Sequence, residues 1–243
     1  MTTLHDQAQG QVLKDVNGPR GDLKVTGNNS TNGGVFDKVR ITGETEIYGD
    51  THCRSFSCTG NSNVDGTLTA EELKLTGNLQ VKEMLRAVKV NITGELEVGG
   101  AVAAEQLKLT GSCHAKKGIQ SERLSIQGEI QSEGMVNAEV VELSLRGISR
   151  VGDIGGSQIK IGPSRANVLI PSWLRIEGVA SLEADTIEGD TVILKNTTAN
   201  TVRGREVFIG SGCRISRVEY SHFFEQDPQA EIKEVIRIAE DKQ

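Results

Sequence analysis

Residues 73–111 read LKLTGNLQVKEMLRAVKVNITGELEVGGAVAAEQLKLTG, and the same five-residue figure closes on Gly77, Gly94 and Gly111. Working outward, Gly43, Gly60 and Gly128 keep the same 17-residue step, with Gly27 sixteen before the first and Gly147 nineteen after the last. Thr stands before most of them, at Thr26, Thr42, Thr59, Thr76, Thr93 and Thr110. An internal period of this length marks a repeat architecture and decides the fold before any local structure is read.

The remaining columns repeat as well. Two residues before the glycines stand Val25, Ile41, Cys58, Leu75, Ile92, Leu109, Ile126 and Leu145; four before stand Leu23, Val39, Phe56, Leu73, Val90, Leu107, Leu124 and Leu143. A mostly polar residue separates each pair, which is the alternation of a half-buried strand. Ile47, Val64, Val81 and Val98 follow four after the glycine, and Thr51, Leu68, Leu85 and Val102 eight after. Ten after, the side chains are small: Cys53, Ala70, Ala87, Ala104, Ser121 and Ala138. Small residues there, with extra glycines at Gly49, Gly66, Gly100 and Gly134, mark tight corners where the backbone takes positive φ or passes close to a neighbour. The prediction is an all-β parallel β-helix of 17-residue rungs, three short strands per rung, with Leu73, Leu75, Val90, Ile92, Leu107, Leu109, Leu124 and Ile126 in the core. One rung buries too little to stand alone, so stability belongs to the stack and its end rungs are weakest.

The pattern divides the chain into a flexible N-terminal tail (1–20), a regular β-helix (21–147), a less regular continuation or second segment (148–220) and a C-terminal tail or cap (221–243). Val151 to Ser157, VGDIGGS, reads as a loop. Ile159-Lys160-Ile161, Leu174-Arg175-Ile176, Val192-Ile193-Leu194 and Val207-Phe208-Ile209 read as further rungs, with Pro163 and Pro171 at turns or edges. In the tail, Ile232, Val235, Ile236 and Ala239 suit a helix, whereas Ile236-Arg237-Ile238 suits a strand.

Composition narrows the functions. Aromatic residues are 3% of 243, so no core of aromatic anchors is expected, and 36% apolar residues exclude wholesale disorder. With no apolar run near the roughly 20 residues of a spanning helix and no secretory signal, a cytoplasmic protein is expected, its four cysteines reduced. A formal charge of -6 disfavours nucleic acid.

His52-Cys53 and Cys113-His114 have zinc-ligand chemistry, but their phases in the repeat differ and they lie more than three rungs apart, so no metal site is expected. No Gly-x-x-x-x-Gly-Lys-Ser/Thr loop occurs. Gly210 and Gly212 lack a third glycine, Arg20-Gly21-Asp22 is incidental, and Lys116-Lys117 is too small for a basic patch. Glu71, Glu72, Glu183, Asp185, Glu188 and Asp190 are the carboxylates that acid-base pairing would draw on; Glu71 and Glu72, which precede an inward Leu, read as a solvated face instead. No catalytic residue and no cofactor is predicted.

The recurrent Leu/Ile/Val-x-Leu/Ile/Val-Thr-Gly rungs, the FIGSGCRISRVEY run from Phe208 to Tyr220 and the closing EIKEVIRI resemble a bactofilin, a bacterial polymer-forming cytoskeletal protein, from Leu23 to about Ile238. The resemblance implies a right-handed coil and nucleotide-independent end-to-end filaments that serve cell shape, motility or localisation of envelope proteins. It implies as partners the protein itself, a related paralogue and envelope-associated clients, in the cytoplasm or at the inner face of the cell membrane. MTTL is too weak a hydrophobic start to assign membrane targeting.

Geometry leads to self-association independently, because the end rungs of an open solenoid carry unpaired N–H and C=O groups. Leu23 and Val25 at one edge, and Phe223, Phe224 and Ile236 at the other, are the candidate contacts. The rival readings are a monomeric β-helical binding module and a β-helix enzyme, either an acyltransferase or a polysaccharide lyase.

Overall fold

The computed structural model describes residues 21–164 and 180–239, and every described element is a β-strand. The chain forms two compact units divided between Lys117 and Gly118, whereas the sequence pattern changes near Gly147. The first unit holds β1 (Leu23–Asp65), β2 (Leu68–Val81), β3 (Leu85–Val98) and β4 (Val102–Ala115). The second holds β5 (Ile119–Ser132), β6 (Val136–Leu145), β7 (Ile148–Pro163), β8 (Ser181–Leu194), β9 (Thr197–Ile209), β10 (Arg214–Gln226) and β11 (Glu231–Arg237). Within each unit successive strands pair in parallel, so each is a parallel β-solenoid.

In the first unit the repeat is also the register. Thr59, Thr76, Thr93 and Thr110 lie in one file and Gly60, Gly77, Gly94 and Gly111 in the next. Each of β2, β3 and β4 is one extended run of 14 residues rather than three separate strands. One corner falls a residue beyond the small column that marks it: Cys53, Ala70, Ala87 and Ala104 are still in register, and the ladder skips Arg54, Glu71 and Val88; φ is positive at each file glycine. Rung-to-rung bonds continue through the closing turns, as from Lys82 N–H to Val64 O at 2.9 Å and from Leu85 N–H to Ala101 O at 3.1 Å.

Gly77 needs glycine twice over. Its φ is +126°, and a Cβ there would strike the carbonyl oxygen of Gly60 in the rung beneath.

All eight core residues named from the sequence are buried, none more than 4% exposed. One inward column escapes the sequence pattern. Thr45, Ser62, Leu79, Leu96 and Cys113, two after each glycine, are also buried. Among the described residues, the hydroxyls of Thr45 and Ser62 in this column, and of the buried Thr51 eight after Gly43, make no hydrogen bond. An orphaned buried hydroxyl costs about 1–3 kcal/mol. Thr51 is fully buried and stands opposite Leu68. Thr51→Val, which keeps the shape and removes the hydroxyl, is therefore expected to stabilise the fold by about 1 kcal/mol in urea unfolding.

Two sequence readings are corrected in the second unit, and the tail, open between helix and strand, is strand. Leu145, not Gly147, stands opposite Gly128, so Val141 follows Leu124 and Leu143 follows Ile126. Val141, Leu143 and Leu145 are all inward and buried, which lets the stretch be read in two registers two residues apart. The extra residues Arg146 and Gly147 enter after the file position, and Gly147 packs beside the Glu129 side chain.

Val151 to Ser157 is strand, not loop. Val151 and Ile154 are buried, and Gly156 lets the backbone pass against Ala138 O where a Cβ would clash. The C-terminal tail is strand as well: β10 runs through Phe223 and Phe224, and β11 adds one more rung.

β7 pairs directly with β8, from Ile148 opposite Ser181 to Ile161 opposite Leu194. The rung read at Leu174 to Ile176, like Pro171 and the 1–20 tail, lies outside the described residues. Beyond β8 the coil shortens, with Leu182 opposite Thr197. Asn196 makes the tighter turn with φ at +50° and bonds Ala180 O through its side-chain amide at 3.2 Å.

Candidate self-association surface

Three inward columns of the second unit run into its C-terminal end. Ile154, Ile187, Val202 and Val218 are stacked and nearly inaccessible, and Val235 takes the next position at 42% exposure. Ile215 is buried and Ile232 above it only half-buried; Val207 is buried and Phe224 above it half-buried. An apolar column that ends in solvent is a core without its last layer.

The backbone is open at the same place. Among the described residues β11 pairs only with β10, and Phe223 to Gln226 pair only with β9. Both leave a free hydrogen-bonding edge, the template that recruits another strand.

The last rung is held by the ladder and by charge. Arg214 faces Glu231 at 3.6 Å and Arg217 faces Glu234 at 3.9 Å, both exposed pairs that contribute little each. Beneath them Glu219 is nearly buried between Arg203 and Arg217, each at 2.7 Å. The Arg203 hydrogen bond, reinforced by the charges of both guanidinium groups against a smaller effect of burial, holds its carboxyl below its ordinary value of 4.5. A depressed carboxyl contributes stability that is present above its unfolded value and lost as pH falls through its folded value. Wild type is therefore expected to be more stable than Glu219→Gln at pH 7, with the gap closing below pH 4.5 in urea midpoints taken across that range.

The structure sorts the end residues named from the sequence. Phe224 caps an inward column and stacks on Tyr220 at 5.3 Å between ring centres. Phe223 points outward, 44% exposed, beside Phe208 at 5.3 Å. Ile236 follows Glu219 in an outward column. In the first unit Val25 is buried and Leu23 half-buried, two and four residues before Gly27.

Ile232 and Val235 are the end residues that pattern reading assigned elsewhere. Aligning RISRVEY (214–220) with EIKEVIR (231–237) puts Ile215 over Ile232 and Val218 over Val235, a signal 17 residues long that finds both.

The other candidate chemistry is dispersed. All four cysteines are buried free thiols, and burial pushes Cys53 and Cys113 up to about 12 and Cys58 to about 11. His52 and His114 are exposed. Among the described residues no three His, Cys, Asp or Glu side chains are grouped to hold a metal ion. Of the acidic candidates, Glu72 meets Lys74 at 3.0 Å, Glu183 meets Arg150 at 2.9 Å, Glu188 meets Arg203 at 3.4 Å, and Asp185 accepts from Asn200 at 3.0 Å. Glu71 and Asp190 are exposed. No described helix is long and apolar enough to cross a membrane.

No family model matches the chain, and no solved structure matches it. Two proteins of Bacillus subtilis (strain 168) are similar to it. Uncharacterized protein YhbF is 45% identical over 91 residues, which span 37% of this chain and 36% of YhbF. Uncharacterized protein YhbE is 50% identical over 230 residues, covering 87% of this chain and 95% of YhbE. At that identity over nearly the whole of YhbE, the chain belongs to the YhbE family.

Proposed function

We propose that the protein is a structural scaffold that assembles end to end into nucleotide-independent filaments, in the manner of the bactofilins it resembles. It does so in the cytoplasm or at the inner face of the cell membrane and supports cell shape, motility or the placing of envelope proteins. The observation that carries this reading is the C-terminal end of the second unit, where Val235 stands 42% exposed over a fully buried Val218 beside an open strand edge. A second copy that pairs with β11 satisfies its backbone groups and covers Val235, Ile232 and Phe224 in one step. Repeating contacts at both ends propagate without limit.

Ladder contacts of this kind need no bound nucleotide, and the sequence has no phosphate-cradling loop. The test is negative-stain microscopy of the purified full chain without nucleotide. Filaments are expected; a uniform monomer at every concentration favours the binding-module reading instead.

A further inference from the structure

Two outward faces of the first unit flank the file of glycines, and their charges are opposite. Before the glycine, Lys38, Arg40 and Lys89 belong to a face that also carries Lys24 and Lys108. Its acids are Asp22 and Glu72, the latter already bonded to Lys74 at 3.0 Å. One and three residues after the glycine, the outward positions hold Glu44, Glu46, Glu95 and Glu97 among polar residues, with no Lys or Arg; Lys82, five after Gly77, is already paired with Asp65 at 2.6 Å, and Lys116 stands five after Gly111. Tyr48 donates to Glu46 at 2.6 Å and Gln80 to Glu97 at 3.3 Å, which orients these carboxylates without neutralising them. A shallow depression runs along this acidic face.

The axial spacing matches as well as the sign. Lys38 and Lys89 lie three rungs apart in one column, and Glu44 and Glu95 lie three rungs apart in another. At about 4.8 Å per rung both spans are about 14 Å. Lys38 and Arg40 share a rung with Glu44 and Glu46, and Lys89 shares one with Glu95 and Glu97. Two copies laid side by side, parallel and with rungs level, therefore set cation against carboxylate at two heights at once.

We infer that the first unit carries a lateral contact between copies, in which the Lys38/Arg40/Lys89 face of one chain docks on the Glu44/Glu46/Glu95/Glu97 face of its neighbour. An anionic lipid surface would engage only the cationic face and leave the matched carboxylates unused. The contact is separate from the end contact and needs only side faces.

Charge reversal on the full chain tests it, since all four positions are exposed. Width is measured by microscopy, counting side-by-side pairs of filaments, or of single particles where ends do not join. Wild type is expected to pair laterally at low salt and to lose pairing at least about tenfold near 0.5 M NaCl, where screening is short-ranged. Arg40→Glu/Lys89→Glu alone and Glu44→Lys/Glu95→Lys alone are each expected to stay single, and an equimolar mixture of the two to pair again. Unchanged pairing in either variant, or a mixture that stays single, overturns the inference. So does a wild type that stays single yet binds phosphatidylglycerol vesicles through Arg40 and Lys89. Single filaments without pairs overturn only this inference, and paired particles without filaments only the end-to-end reading.

Discussion

Val235→Glu is expected to abolish filaments while leaving the solenoid folded. The side chain stands 42% exposed, so a carboxylate is tolerated in the free protein, and the rung beneath is already complete around Val218. In an end-to-end contact the same carboxylate is buried without a partner, a penalty of about 3–5 kcal/mol, which raises the critical concentration by about 100-fold or more. Phe224→Glu acts in the same direction. Phe223→Glu and Ile236→Glu, on outward positions, leave filament length unchanged. The checks are pelleting across a concentration series and the circular-dichroism melt, which Val235→Glu leaves within a few degrees of wild type.

The other large effect is on stability. Gly77→Ala places a methyl group into Gly60 O at a φ that L residues avoid. Strain of about 1–3 kcal/mol and an overpacking cost of similar size add to about 2–6 kcal/mol, enough at the upper end to unfold part of the stack. Gly49 separates the two causes: its φ is +87°, with nothing within 4 Å of a built Cβ. Gly49→Ala is therefore expected to cost only about 1–2 kcal/mol. Equal losses at the two sites in urea unfolding would mean that the close approach of stacked glycines contributes nothing.

These contrasts show how far the residues disclose the fold. The period is legible because each rung spends a glycine and two β-forming apolar residues at the same phase, so Gly60, Gly77, Gly94 and Gly111 announce their own file. The column through Thr45, Ser62 and Cys113 is hidden because a stacked interior accepts small polar residues that no hydropathy pattern marks as core. VGDIGGS looks like a loop because its glycines are counted as turn formers. In the stack Gly156 serves close approach instead.

The C-terminal rung is obscured by a corner. Lys233 interrupts the alternation, so Ile232 and Val235 fall three apart, a helical spacing, while both occupy inward columns. Phe223 and Phe224 were legible as end residues by their rarity, but which of them faces the core depends on the irregularity between Tyr220 and Phe223. The clasp on Glu219 joins Arg217 of its own rung with Arg203 of the neighbouring one, and the Arg203 half becomes visible only once the register is known.

Fibre X-ray diffraction from aligned filaments asks most directly whether copies extend one another's ladders. If they do, the rung spacing lies along the filament and a strong reflection near 4.8 Å falls on the meridian. The same reflection on the equator, or filaments that lack it, would contradict end-to-end stacking.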